Sequence, residues 1–388
     1  MQTVSKILKE HTMKIVLVLV FIFFTILTDG QMFDASSFNS LITQNAYVYV
    51  LAIGMLMCML IKGNIDLSVG SVVCFVDAIG AILMVNKGVP VWLAMLIMLG
   101  VGILIGSVLG WVIAFLNIPP WIATLAGYLA FRGWGTALLD GLTIGNIPEG
   151  FLKLFNSYIP DVFGMEGFNL TCVLIGAACC VIYIVMQWSS RRSKVKKGYE
   201  VESMQSLIAK CVLISAVIML VVVKLAMFNG KGMPVILVWV AVIALIYNFI
   251  LSKTTLGRVF YAMGGNVEAT RLSGINTKLI LFFAYLNMQF LTVIASWMTM
   301  TRLTSANPNS GINYEMDAIS ACIVGGVSAY GGSGTIFGMI VGATLIGVIN
   351  LGMSIMNLNN NWQKVVKGLV LLAAVVFEIM NNRKKNKA

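Results

Sequence analysis

Apolar runs long enough to cross the ~30 Å hydrocarbon core of a bilayer as a helix, which takes roughly 20 residues, recur from one end of this chain to the other. They lie at about 14–28, 46–61, 67–86, 90–117, 120–139, 169–188, 211–229, 234–251, 279–300, 318–331, 336–356 and 363–380. Only 11% of the 388 residues are charged, against about 25% in soluble domains, so a water-facing surface cannot be covered. A spanning backbone must satisfy its own hydrogen bonds, which selects helices. The expected fold is an all-α polytopic membrane protein with about 10–12 transmembrane helices, forming one transmembrane domain over 1–388. The 318–331 run is short and glycine-rich, as a broken or re-entrant half-helix would be. No small-residue cleavage pattern follows the first run, so it reads as a helix rather than a removed signal.

Charge is distributed unevenly between the runs. The segment 189–210 holds Arg191, Arg192, Lys194, Lys196, Lys197 and Lys210 against Glu200 and Glu202. The segment 252–278 holds Lys253, Arg258, Arg271 and Lys278 against Glu268, and the tail ends with Arg383, Lys384, Lys385 and Lys387. By contrast, 140–168 carries Asp140, Glu149, Asp161 and Glu166 with Lys153 alone. Short loops rich in Lys and Arg stay in the cytoplasm, so 189–210 and 252–278 are expected there, with both termini. Lys364 and Lys367 then fall near the outer face as an exception. This rule accounts for the net charge of +11 without a nucleic-acid partner. The seven cysteines all fall in apolar segments without a framework spacing and read as small buried hydrophobes. His11 stands alone among Lys6, Lys9 and Lys14. No metal or cofactor site is expected, and the chain lacks the His cluster, Ser–Lys pair or paired-Asp signature of an intramembrane enzyme.

Polar residues inside the apolar chain carry the functional information. In LIKGNIDLSVGS (60–71), Asn64, Asp66 and Ser68 stand between glycines, and such residues favour local backbone bonding over continued helix. Broken helices at membrane depth are typical of transport pathways. Asp66 reads either as the cap of the following helix or as a residue lining such a pathway. A similar break, EMDAISACIVGGVSAYGGSG (315–334), has Asp317 before a short apolar run. It is no phosphate loop, because no Gly-Lys-Ser/Thr follows. Asp77 and Arg132 lie deeper, where charges are costly and usually functional, and can pair with each other or with Asp66. Lys224 stands near its helix end and can snorkel outward. Gly102, Gly106 and Gly110, and likewise Gly338 and Gly342, repeat every four residues as a close helix contact requires. Finally, 252–278 is too polar to cross. Asn266 suits an N-cap, Glu268 a first turn and Gly274 a C-terminal stop of a short helix with little of its own to bury.

Four stretches, GNIDLSVGS, TTLGRVFYAMGGNVEATRLSGI, EMDAISACIVGGVSAYGGSGTIFG and WQKVVKGLVLLAAVVFE, resemble in order the permease subunits of bacterial ABC importers for ribose, xylose, arabinose and galactose. The extra helix pair around 169–229 resembles the xylose and multiple-monosaccharide branch. The resemblance implies a type II ABC importer-like fold in the bacterial inner membrane. It also implies a monosaccharide substrate, a separate ABC ATPase subunit, a sugar-binding protein and a second permease copy in a homodimer. Residue by residue, Gly257 and Arg258 open the coupling segment, Gly264, Gly265 and Asn266 precede its helix, and Glu268, Ala269 and Gly274 form its core. Thr270 stands where the family has alanine, and Asn64 where many relatives have glycine. The translocation pathway candidates are Asn64, Asp66, Ser68, Asp77, Arg132 and Asp317. The chain itself is then not an enzyme, since ATP is hydrolysed by its partner. Two other readings remain: an ABC permease for a nucleoside, branched-chain amino acid or furanose signal, and an ion-coupled secondary carrier using Asp66, Asp77 or Asp317.

Overall fold

Each apolar run winds into helix, and the polar interruptions set where the helices stop. A computed structural model describes residues 2–199, 201 and 203–385, leaving out the side chains of 2–11, 360 and 377–385. The side chains of His11, Lys6 and Lys9, together with Glu200, Glu202 and the basic tail from Arg383, lie outside that description. The first half of the chain forms α1 (Gln2–Leu27), α2 (Ala35–Leu60), α3 (Val69–Ala81), α4 (Val91–Ala114), α5 (Pro120–Leu138) and α6 (Glu149–Asn156). There follow α7 (Leu170–Lys196), α8 (Met204–Ala226), α9 (Val235–Lys253), α10 (Thr255–Gly265) and α11 (Val267–Leu272). The last part is α12 (Thr277–Leu303), α13 (Tyr314–Val324), α14 (Ile336–Ile355) and α15 (Asn360–Lys385).

Among the described residues eight helices are long and apolar enough to cross a membrane: α2, α3 with its continuation to Asn86, α4, α7, α8, α9, α12 and α14. The sequence count of twelve adds four more. The apolar part of α1 is the shorter Thr12–Leu27. α5 is diluted by glycines and Arg132, and α15 opens on Asn, Gln and Lys. α13 has only 11 residues, ~16 Å at 1.5 Å per residue, half of what a crossing needs.

α2 is the axis of the fold. From Val48 to Ile61 its side chains are almost all buried, as expected of a helix apolar all round, and it packs against α9, α12, α13 and α14. The four-residue glycine rows do what their spacing predicts. A Cβ on Gly102, Gly106 or Gly110 would meet Val293, Leu286 and Phe282 of α12, and one on Gly338 or Gly342 would meet the α13 end at Gly325 or Ala321.

α7 and α8 form a hairpin at the periphery, tied to the body through the buried Leu225 and Ala226. Lys224 sits over the Phe33 ring, 4.1 Å from its centre, which fits its outward snorkelling. Before α7, Asp161 accepts from Thr171 N (2.9 Å), Thr171 Oγ1 (2.8 Å) and Met165 N (3.0 Å). These donors hold its carboxyl at about 2, below the usual range. The basic segment 189–210 is not a loop. α7 continues to Lys196 and α8 begins at Met204, leaving 197–203 as the connection. Arg and Lys are good helix formers and are favoured at a helix C-terminus, so the basic residues extend the helix instead of ending it. All seven cysteines are free; six are buried and Cys179 is exposed.

Candidate functional site

The starts of two helices, the spanning α3 and the short α13, meet head to head inside the bundle. α3 runs parallel to α12, since Ser68 bonds Gln289 and Asp77 bonds Ser296. α13 runs parallel to α2, since Asp317 bonds Tyr47 and Cys322 bonds Ala52 O. α2 and α12 are antiparallel, with Gly54 beside Met288 and Cys58 bonding Ala284 O. The starts of α3 and α13 therefore point at each other from opposite sides. They touch at Gly70 and Gly311, where a Cβ on either would collide with the other's carbonyl oxygen. Gly311 also has φ +74°, which disfavours a side chain. Each of these helices follows a non-helical stretch, 61–68 and 304–313, and each stretch needs partners for its backbone.

Side chains of the neighbouring helices provide those partners. For 61–68, Tyr285 Oη donates to Ile65 O at 3.2 Å. Asp66 is fully buried: its Oδ1 accepts from Ser68 N (2.8 Å) and Ser68 Oγ (2.6 Å), and its Oδ2 accepts from Gln289 Nε2 (2.8 Å). The helix-capping position is Ser68, not Asp66, and its side chain makes no capping bond. Asp66 braces this first residue and ties it to α12. For 304–313, Arg132 of α5 donates through Nη1 to Pro308 O (3.0 Å) and Ser310 O (2.7 Å), while Ile144 and Ala306 exchange two backbone bonds of 2.9 Å. Arg132 thus pairs with carbonyls; it does not pair with Asp77 or Asp66. Asp77 is fully buried and accepts from Ser296 Oγ at 2.6 Å, leaving Oδ2 without a partner. Arg132→Met should free both carbonyls of 308 and 310 and destabilise the chain by about 2 kcal/mol. The check is its melting temperature in detergent beside Arg132→Lys, which retains one donor group and should recover part of the loss.

Asp317 takes the cation that stands as an exception to the charge rule. Lys367 of α15 approaches its Oδ1 to 2.8 Å and Tyr47 Oη donates to Oδ2 at 2.7 Å. Tyr47 in turn stacks on Tyr314 with ring centres 3.6 Å apart. Lys367 therefore has a partner inside the bundle, whatever the loops require. Asn64 stands apart from this junction, half-buried in the turn after α2, with its backbone N–H on Ile61 O (3.1 Å). Three participants were not singled out from sequence: Gln289, Tyr285 and Glu315. Glu315 is buried in the first turn of α13 with Oε2 unpartnered and facing Gly70. An amide in the middle of the apolar α12 run, and a second carboxylate two residues before Asp317, were the available signals.

The polar segment 252–278 consists of two helices, of which the sequence showed only the second. Thr254 caps α10, its hydroxyl accepting from Gly257 N. Asn266 caps α11 through Oδ1, which accepts from Ala269 N at 3.0 Å. Glu268 and Arg271 form an ion pair one turn apart, and Gly274 (φ +86°) ends the element. Glu268, Ala269 and Arg271 are exposed, and Leu272 is 79% exposed. Gly257 is buried against the end of α9, while Arg258 and Gly265 are exposed. Gly264 is different: a Cβ there would strike Gly332 N and Leu60 O, which already bond to each other at 3.0 Å. Tyr261 Oη adds a bond to Gly334 O at 2.8 Å. The end of α10 is thus packed against the backbone bond that joins the end of α2 to the loop after α13.

A family model described as "Branched-chain amino acid transport system / permease component" matches residues 37–375. The xylose transport system permease protein of Haemophilus influenzae is 34% identical over 97% of this chain and 98% of its own length. Its Escherichia coli K12 counterpart is 32% identical over 97% and 93%. The ribose import permease protein of Haemophilus influenzae is 30% identical over 91% and 88%. No match to a solved structure was found. A polytopic all-α chain in which the starts of α3 and α13 meet head to head, and which matches these permeases over 97% of its length, belongs to the branched-chain amino acid transport system permease family.

Proposed function

We propose that this chain is the membrane permease of an ATP-driven monosaccharide importer, with xylose the first sugar to test. The observation that carries the reading is similarity to xylose permeases over 97% of the chain. Proposed partners are a separate ABC ATPase, a sugar-binding protein and a second copy of the chain. The face bearing α10 and α11, with Lys253, Arg258, Arg271 and Lys278, is proposed as cytoplasmic, and with it both termini. The exposed α11 is the proposed handle for the ATPase, through Glu268, Ala269 and the stop at Gly274. Gly257, Arg258, Gly264, Gly265 and Asn266 shape the approach to it.

Motion of α11 passes to α10, and through Gly264 to the ends of α2 and α13. Those ends carry the stretch 61–68 and the half-helix α13, whose starting point faces Gly70. A pathway opening at that junction exposes Ser68, Asp66, Glu315 and Asp317, with Asp77 and Arg132 behind it, and Asn64 lies at its approach in the turn after α2. These are sparse hydrogen-bonding groups of the kind sugar hydroxyls exchange with water. Weak binding there leaves selection to the sugar-binding protein.

Ion coupling is the second reading, favoured by Asp77 and Glu315, buried carboxyls that each keep an oxygen without a partner. Proteoliposomes decide. The importer reading expects labelled xylose uptake only with ATPase, binding protein and ATP; uptake on a proton gradient by the chain alone ends it. Glu268→Arg with Gly274→Pro should abolish ATP-driven uptake and pull-down of the ATPase while membrane insertion persists. Unchanged pull-down would remove α11 as the handle.

A further inference from the structure

We propose that the cleft between α9, α10 and α12 is a binding site for one acyl chain of an anionic phospholipid whose headgroup rests on Lys253 and Lys278. The cleft has a volume of about 480 Å³, within the ~300–1,000 Å³ of ligand sites. Its walls are Ile250 of α9, Leu256 and Phe260 of α10, and Leu279, Phe283 and Leu286 of α12. Two polar side chains lie among them, and they satisfy each other. Tyr247 Oη donates to Asn287 Oδ1, and Asn287 Nδ2 lies 3.3 Å from Met57 Sδ. No wall group is left asking for a polar ligand, so the occupant of the cleft is hydrocarbon.

The opening faces outward. Leu256 is 40% exposed, Leu279 41% and Phe283 48%, large apolar side chains that border the lipid in a membrane-spanning chain. Two cations flank it. Lys253 ends α9 less than one turn after Ile250, and Lys278 immediately precedes Leu279. Both are exposed and neither has an acidic partner among the described residues. An apolar slot ending in unpaired cations is complementary to a hydrocarbon chain ending in a phosphodiester. Basic pockets between spanning helices, at the face with excess positive charge, attract anionic headgroups.

The placement gives the lipid a consequence. α10 leads into α11 and forms one wall of the cleft through Leu256 and Phe260. A chain seated there wedges α10 against α9 and α12, so an anionic lipid tunes how freely the coupling segment moves. This consequence rests on the importer reading; the binding itself does not.

Binding is tested on the full purified chain in detergent, without nucleotide or sugar, by thermal unfolding with added phosphatidylglycerol, phosphatidylcholine or inorganic phosphate. Phosphatidylglycerol is expected to raise the melting temperature several degrees more than phosphatidylcholine, and phosphate to leave it unchanged. Lys253→Gln with Lys278→Gln should erase the difference between the two lipids, and Ile250→Trp, which fills the slot, should erase the response to both. Equal responses of the native chain to the two lipids, a response to phosphate alone, or an unaltered preference in the lysine variant would each overturn the proposal. Should the tryptophan variant not insert, the lipid comparison and the lysine variant decide it alone. In proteoliposomes, loss of uptake in every lipid would count against the importer reading and leave the binding result standing.

Discussion

Lys367→Met is expected to lower the stability of the chain by about 3 kcal/mol, the low end of the cost of stranding one member of a buried ion pair. Lys367 retains some exposure, but Asp317 is 4% exposed and its other oxygen is already committed to Tyr47. Removing the ammonium leaves a carboxylate that neither water nor another cation reaches. Asp317→Asn with Lys367→Met removes both charges and should regain most of the loss, because a neutral amide still accepts from Tyr47. Unfolding in detergent checks this. If the single lysine variant is as stable as the double variant, the pair contributes nothing and Lys367 is an ordinary interfacial lysine. A secondary result is expected in transport: α15 is fastened to α13 at this point, so the single variant should also slow uptake.

Gly264→Val should stop nucleotide-driven uptake. The added carbons meet Gly332 N and Leu60 O, both backbone and already hydrogen-bonded to each other, so no side chain can swing away. Forcing bulk into a packed site typically costs about 1–3 kcal/mol, and here α10 must move off the ends of α2 and α13. The chain is expected to insert and to keep its ATPase in pull-down, since α11 remains exposed. ATP hydrolysis should then proceed without sugar movement. Gly265→Ala is the control, because a Cβ there meets nothing within 4 Å; it should transport normally. A fully active Gly264→Val would mean that force reaches the bundle by another path.

Much of this architecture is legible in the sequence, for definite physical reasons. Span length and helix periodicity follow from the bilayer, so α4, α9, α12 and α14 are readable to within a few residues at their ends, whereas α2 begins at Ala35, well before the apolar run at 46–61, because its first turns carry Ser, Asn, Thr and Gln. Caps are local chemistry, which is why Asn266 and Gly274 bracket α11 as expected. Glycine rows are local too, and theirs face α12 and α13 as the spacing required. What stayed hidden depends on distant partners. Nothing near Arg132 in sequence indicates that its targets are carbonyls at 308 and 310, and charge pairing with Asp77 was the natural expectation. Lys367 looked like an exception to the charge rule because its carboxylate lies 50 residues away. Gln289 resembles any polar residue tolerated in a long helix until Asp66 is seen beside it. The basic stretch 189–210 was read as a loop because charge suggests solvent, whereas Arg and Lys also prolong helices.

The two non-helical stretches hang from different frames. One is held by Tyr285 and Gln289 of α12, the other by Arg132 of α5, and α3 bridges the two: Ser68 at its start abuts Gly127 of α5, and Cys74 Sγ lies 3.6 Å from Pro308 O. A displacement of either frame is therefore carried across by α3 to the other, as a lever passes a load over its fulcrum.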